Sequence, residues 1–345
     1  MLAKYYGAFV FLLASASAVA ADEVHTVRYY DNVAVTVPNT VTRVATSWEA
    51  QNSILAMLGY GDKIVATTRY ARDTPAFQKF VPSIKDAALT TMSGSANINV
   101  EQLIALHPDI LFASQGFPAN KAAQLERAGI AVAWFRANSM DALVERVGLT
   151  GKMLGPQAEA KAQAYQQYFA RNKALVAERL KNIPQAQRLK VYIASGTPLT
   201  TSGRPSLNQD WIDLAGGINI AEHWQLSDVH HGSANVSIES IIAAAPDVII
   251  SMRAGDVATM LHKDPRWRNV KAVKNDRVYA NPRGLFWWCR ETSEEALQFL
   301  WLAKLLYPTH FADIDMPQET KQFYQQFYNI HLTDADVADF LHPQE

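Results

Sequence analysis

Short runs of β-branched and apolar residues alternate along most of this chain with segments whose apolar residues recur at helical spacing, and that alternation restricts the fold more than any other feature. Arg43–Ser47, Lys63–Thr68, Asp109–Ser114 and Ile130–Phe135 read as strands, with helices at Gln51–Leu58 and Asn120–Ala128. Strands connected through helices pair in parallel, because a hairpin turn cannot return a parallel strand. From Gly155 the pattern breaks. Pro156 suits a first helical position, and Gln157 to Lys181 contains no Gly or Pro and is rich in Ala, Gln, Lys and Glu. A helix of about 25 residues is roughly 38 Å long, the width of a small domain. Asn182-Ile183-Pro184 ends it, and strands resume at Leu189–Ser195, Asp247–Met252 and Arg277–Asn281. The expected architecture is α/β: an N-terminal lobe over residues 21–154, a linker helix over 155–184 and a C-terminal lobe over 185–345, each lobe built on a parallel sheet.

An internal repeat supports this division. Asn99-Val100-Glu101, running to His107-Pro108-Asp109-Ile110-Leu111, matches Ser237-Ile238-Glu239, running to Ala245-Pro246-Asp247-Val248-Ile249. In each copy a capping side chain, Asn99 or Ser237, opens a short helix, and a glutamate sits in the first turn against the positive helix end. Pro-Asp then turns the chain into a buried strand.

The first twenty residues read as a separate object. Lys4 supplies a positive start, Ala8 to Leu13 an apolar run, and Ala18-Val19-Ala20 a small-x-small cleavage pattern, so residues 1–20 are expected to be a cleavable signal peptide. No cysteine follows the cleavage point, so the expected product is an unlipidated chain in a periplasm, with no membrane insertion. The full sequence carries 49% hydrophobic and 19% charged residues, an ordinary globular balance. Lys and Arg number 32 against 33 Asp and Glu, a net charge of −1, which argues against nucleic acid as a partner and leaves any charged ligand to local clusters. The single cysteine, Cys289, excludes an intrachain disulfide and a Cys-based zinc or iron–sulfur site.

Open parallel sheets bind ligands outside the carboxyl ends of their strands, which localises the function. Trp48 and Glu49 follow the first strand, Tyr70 and Arg72 the second, and Gln115 and Phe117 the Asp109–Ser114 strand. In the second half Thr197, Arg253, Arg283 and the run Leu285-Phe286-Trp287-Trp288-Cys289-Arg290 hold equivalent places. The candidate ligand-binding residues are Trp48, Tyr70, Arg72, Phe117, Arg253, Trp287, Trp288 and Arg290. Rings cover an organic surface while guanidinium forks meet carboxylate, catecholate or phosphate oxygens, so this mixture suits a flat or chelated anion. Enzymatic motifs are missing: there is no Gly-x-Ser-x-Gly elbow, no Gly-x-Gly-x-x-Gly after the first strand and no phosphate-binding Gly-Lys-Ser/Thr, which leaves a secreted α/β hydrolase a distant alternative.

Several of these segments carry a family resemblance. Arg43-Val44-Ala45-Thr46-Ser47 with Ile54–Gly59, the two Glu-to-Pro-Asp units, Trp211-Ile212-Asp213-Leu214-Ala215-Gly216-Gly217, and Asp264-Pro265-Arg266-Trp267 running into Val273–Tyr279 together resemble the periplasmic binding proteins for iron–siderophore, haem and cobalamin uptake. The resemblance runs from about Arg43 to Leu306. It implies two Rossmann-like lobes bridged by one long α-helix, little hinge bending, and a ligand held between the lobes and delivered to the permease dimer of an ABC importer. It also implies that Glu101 and Glu239 face that permease, and that the loop carrying His230 and His231 approaches the cleft, where either could complete the coordination of a metal chelate. Many members carry Thr-Glu before the helix matching Ile54–Leu58, whereas this chain has Asn52-Ser53. The resulting expectation is a monomeric, non-enzymatic binding protein with no tightly bound cofactor, whose ligand is an iron–siderophore or similar anionic metal chelate. Cobalamin, haem, a nickel chelate and an oxyanion such as molybdate are the alternatives. The tail from Tyr307 to Glu345, with Phe323, Tyr324, Phe327 and Tyr328, is expected to add helical packing.

Overall fold

The computed structural model describes residues 23–91, 98–227 and 233–344; residues 1–20, His230 and His231 lie outside these. The described chain enters through an antiparallel hairpin, β1 (Val24–Tyr29) and β2 (Val33–Pro38). Five strands, β3 (Val44–Thr46), β4 (Ile64–Thr68), β5 (Ala88–Thr91), β6 (Ile110–Ser114) and β7 (Ala131–Phe135), form a parallel sheet in the order β5-β4-β3-β6-β7. The second half contributes β8 (Lys190–Ala194), β9 (Thr200–Thr201), β10 (Ile218–Asn219), β11 (Ala234–Asn235), β12 (Val248–Ser251) and β13 (Val278–Ala280). Of these, β10-β8-β12-β13 form a second parallel sheet, and β9 pairs antiparallel with β11. Every run expected as a strand is one, trimmed by at most one residue at each end. The hairpin, β5 and the three two-residue strands were not anticipated; two residues are too few for an alternation to show.

Side chains along the central strands alternate between two cores, as a period of two requires. In the first sheet Val44, Ile110, Phe112, Ala133 and Phe135 enter a core shared with the other lobe, while Ala45, Leu111 and Val132 enter a private one. In the second, Val191, Ile193, Val248 and Ile250 join the shared core, and Tyr192, Ala194 and Ile249 pack privately with Trp267 and Val278. Sheets buried on both faces have near-continuous apolar strands, which is why these runs stood out in the sequence.

The linker forms as one helix, Pro156–Leu180, whose buried Ala158, Ala162, Tyr165, Tyr168, Asn172, Val176 and Leu180 recur every three or four residues. Gly155, at φ +104°, makes the turn into it from the Met140–Leu154 helix, a backbone conformation that glycine adopts without strain. Those two helices pack closely: a Cβ on Gly151 would stand 2.7 Å from that of Ala162. Beyond the buried Glu295–Leu306 helix the tail forms the helices Met316–Tyr328 and Asp334–Leu341, burying Phe323, Tyr324 and Phe327.

The two repeated units have the same construction. Asn99 accepts from the Gln102 N–H and Ser237 from the Ser240 N–H, opening helices Val100–Leu106 and Ile238–Ala244. Each helix ends in a left-handed residue, His107 or Ala245. Asp109 Oδ2 then accepts from the Thr42 and Arg43 N–H groups at 2.7 and 2.9 Å, and Asp247 Oδ2 from the Lys190 N–H at 2.8 Å. Arg43 and Lys190 in turn donate to the carbonyls of Leu106 and Ala244 at the helix ends. Each aspartate thereby ties neighbouring strands across the switch point of its sheet, β3 to β6 and β8 to β12. Burial pushes the Asp247 carboxyl up, but Lys271 and the Lys190 N–H outweigh it and hold it below its ordinary value. Asp109→Ala and Asp247→Ala should each cost about 1–3 kcal/mol in urea unfolding. The Asp247 contribution should be present above its unfolded value of ~3.9 and lost as pH falls through the lower folded one.

Candidate functional site

In both sheets the strand order reverses beside the central strand, between β3 and β6 and between β8 and β12, so each lobe offers a crevice at its carboxyl edge. Between the two edges lies a cavity of about 620 Å³. The N-terminal lobe lines it with Trp48, Glu49 and Ala50 after β3, Tyr70 after β4, Ser114 at the end of β6, and Ala137 and Asn138 after β7. The C-terminal lobe supplies Ser202, Leu207, Asn208, Ser233 and Met252, together with a wall of Phe286, Trp287, Cys289, Arg290 and Glu291 after β13.

Local chemistry aims each of these groups. Thr46 Oγ1 accepts the Trp48 N–H at 3.0 Å and Asn52 donates to the Glu49 carbonyl at 2.9 Å, turning the chain sharply off β3. Thr68 caps the short helix Arg69–Asp73 and so presents Tyr70. The Tyr70 ring stacks on Trp287 at 4.9 Å and meets Phe286 edge-on, and its hydroxyl accepts from Arg283 at 3.2 Å. Arg290 is held by Met252 Sδ at 3.0 Å and the Ser195 carbonyl at 2.9 Å. Burial raises the Tyr70 phenol above its usual pKa, while the positive charges of Arg283, Arg253 and Arg290 pull it back.

Beneath Trp48 the floor of the cleft is charged. The fully buried Arg146 guanidinium lies 3.7 Å from the Trp48 ring centre, pairs with the Glu291 carboxylate at 3.5 Å and donates to the Glu291 carbonyl. Glu291, at φ +59°, also receives the Asn138 N–H, while the Asn138 side chain accepts from the Leu207 N–H at 3.1 Å. The floor thus joins the lobes.

Of the eight ligand-binding candidates, Trp48, Tyr70, Trp287 and Arg290 line the cavity and four do not. Trp288 turns the opposite way from Trp287 and is fully buried in the shared core. Phe117 packs against the private core of the N-terminal lobe. Arg72 pairs with its neighbour Asp73 at 3.2 Å, and Arg253 is exposed at a helix start, near enough to act on Tyr70 without lining the cavity. Asn138, Ser202, Asn208, Ser233 and Glu291 were missed. Asn138 follows β7 and obeys the strand-end rule; Ser202 and Asn208 follow a two-residue strand that left no pattern. Glu101 and Glu239 are both exposed. Among the described residues no three His, Cys, Asp or Glu side chains converge on a metal site, and no helix is long and apolar enough to cross a membrane.

Residues 44–283 match the sequence pattern described as "Periplasmic binding protein". The chain belongs to the periplasmic binding protein family. The match ends at Arg283, where the aromatic wall begins. As a periplasmic binding protein it captures a solute and is not an enzyme. It is 26% identical over 334 residues to the molybdate-binding protein MolA of Haemophilus influenzae, covering 89% of each chain. It is 24% identical over 225 residues to a vitamin B12-binding protein of Vibrio cholerae, covering 64% of this chain and 74% of that one. A crystal structure of a periplasmic solute-binding protein from Veillonella parvula superposes with a TM-score of 0.80 at 26% identity, covering 92% of this chain and 97% of that one. CeuE of Helicobacter pylori with Ni(II) bound shares the fold, with a TM-score of 0.73 at 22% identity over 92% of this chain and 99% of that one.

The charged floor of this periplasmic binding protein has a pH signature. Glu295 is fully buried beside Arg146 and Glu291; burial raises its carboxyl well above the ordinary range, and the Glu291 carboxylate adds to that. Glu291 takes the ion pair with Arg146, and burial shifts Glu295 towards its protonated form. Stability tied to it is full below the unfolded value near ~4.3 and is lost as pH rises through the folded one. Glu295→Gln, which keeps a neutral side chain of the same shape, should flatten the pH dependence of urea unfolding as pH rises above the unfolded value near ~4.3. A slope equal to that of the wild type would show that Glu295 ionises freely.

Proposed function

We propose that this chain is the periplasmic solute-binding protein of an ABC importer and that its ligand is an anionic metal chelate, an iron–siderophore foremost. One observation carries the choice of ligand: Arg290 lines a cavity walled by Trp48, Phe286 and Trp287, and Arg283 reaches Tyr70 at its edge. Rings on both lobes cover the organic face of a chelator, and the guanidinium groups meet its negative oxygens. The metal arrives with its chelator and needs no complete set of protein ligands; His230 and His231 are the side chains that would fill an open coordination position. The volume of about 620 Å³ falls in the range of organic-ligand pockets. Residues 1–20 serve as the signal peptide, and the mature chain acts as a monomer.

A second reading rests on a different part of the same cavity. Ser202, Asn208, Ser233 and Asn138 supply small hydroxyl and amide donors of the kind that hold an oxyanion, and the relative MolA is a molybdate-binding protein. Tryptophan fluorescence separates the two, since Trp48 and Trp287 line the cavity. Titration with ferric tris-catecholate should give a saturable change. Arg290→Ala should weaken it by about 1–3 kcal/mol, roughly five- to hundredfold, and Arg72→Ala should leave it unchanged. Saturation by molybdate with no response to the chelate would overturn the first reading in favour of the second.

Delivery depends on Glu101 and Glu239. Each is an exposed carboxylate in the first turn of an equivalent helix, one per lobe, and each of those helices starts near the carboxyl edge of its sheet, the side on which the cavity opens. Two charges at a fixed separation set both register and orientation on a basic partner surface. Glu101→Gln and Glu239→Gln should leave folding and ligand affinity nearly unchanged, since an exposed helix-end charge contributes only about 0.3–1 kcal/mol. Uptake into vesicles holding the reconstituted importer should fall, most in the double variant, while high salt weakens docking of the wild type and narrows the difference. Normal uptake by the double variant would rule out the docking role.

A further inference from the structure

The tail does more than add packing. Its helices touch the ligand wall from behind and the opposite lobe at the same time. On the wall side, Tyr324 is completely buried; its hydroxyl donates to Glu294 Oε1 at 2.7 Å and accepts the Leu285 N–H at 3.2 Å. The same carboxylate oxygen accepts the Leu285 N–H at 3.0 Å. The fit leaves no slack, because a Cβ on Gly284 would stand 2.1 Å from the Tyr324 hydroxyl. The Phe340 carbonyl accepts the Arg283 N–H at 2.9 Å, and Arg283 is the residue whose side chain reaches across the cleft to Tyr70.

On the other side, Tyr328 donates to the Ser53 carbonyl at 3.1 Å, and Ser53 Oγ accepts the Ser293 N–H at 3.2 Å, a bond between the lobes. Asp336 pairs with Lys79, and Phe340 meets Phe80 edge-on at 6.0 Å. Phe323 and Phe327 lie against Tyr165 and Tyr168 of the linker helix. One strap therefore holds the wall, the N-terminal lobe and the linker at once.

We propose that the C-terminal strap is the positioning element of the ligand site: Tyr324 and the Phe340 carbonyl set the register of Arg283–Phe286, and Tyr328 and Asp336 register the same strap against the lobe that carries Tyr70. The function assigned to the strap rests on the cavity being the ligand site, but its mechanical part is measurable without ligand. A backbone segment held by hydrogen bonds to buried groups opens rarely, and its amide exchange reports that opening directly.

The test is amide exchange on the ligand-free, full-length protein. Tyr324→Phe keeps the ring and removes the hydroxyl, and should speed exchange at Leu285 by about tenfold, the size expected for losing a buried hydrogen bond. Lys79→Met changes a side chain at the surface, where folding is not at risk, and should speed exchange at Arg283 through the freed Asp334–Leu341 helix. Amides of β6 and β8 should keep their rates in both variants. Stopped-flow with ferric tris-catecholate should then show severalfold faster dissociation from Tyr324→Phe with its association rate nearly unchanged. Unchanged exchange at Arg283 and Leu285, or an equal rise at every amide, overturns the proposal. A wild type that binds no catecholate while the exchange arms behave as stated removes the choice of ligand and leaves the strap standing.

Discussion

The structure depends on a hydrophobic core that does not stop at the boundary between its lobes. One face of each parallel sheet, the linker helix and the tail helices all bury side chains in the same cluster, from Val44 and Phe112 through Tyr165 and Phe169 to Ile193, Phe299 and Phe323. Lobes that met only through a polar interface would move against each other readily. Here any large opening would expose rings that a close-packed interior holds in contact, at a cost that grows with the apolar area uncovered. The cavity between the sheets is therefore a pre-formed feature.

The polar floor of that cavity works within the same constraint. A buried cation alone would be costly, and Arg146 is tolerable because Trp48 covers one face while Glu291 supplies the opposite charge and a carbonyl. The arrangement has a consequence for binding. Trp48 and Glu291 line the cavity from opposite lobes and are both anchored to Arg146, so ligand contacts on either side bear on one buried group. Burial of Glu295 beneath them disfavours a second negative charge in the floor. Positive charge beside the floor comes from Arg290, which lines the cavity, and from Arg283, which bonds Tyr70.

The repeated helix–Pro–Asp unit shows how one local solution serves two sheets. In both copies the aspartate anchors the start of the central strand, and a cation from that strand, Arg43 or Lys190, covers the carbonyl end of the helix. Anchoring one end of the helix fixes where its other end emerges. That end carries Glu101 or Glu239, so the place of each exposed carboxylate on its own lobe follows from bonds made inside that lobe.

Periodicity and local chemistry in the sequence were enough for the strands of both sheets, the linker helix, the two capped repeats and the exposure of their glutamates, because each depends on neighbours a few residues away. The strand-end rule also reached Trp48, Tyr70, Trp287 and Arg290 without a fold in hand. It could not tell Trp287 from Trp288, since which of two adjacent rings faces solvent is set by what packs behind the loop, here Gly284, Glu294 and Tyr324. Nor could it place Arg72, which meets Asp73, or Phe117, which finds a core. Ser202 joins the site past a strand too short to read and Glu291 through contacts more than a hundred residues away along the chain, and the strap reaches back to Ser53 and Lys79 from the far end of the chain. Local pattern determined the elements and the edge on which a ligand sits; only the tertiary packing, by deciding which side chains share one buried volume, chose the members of the site.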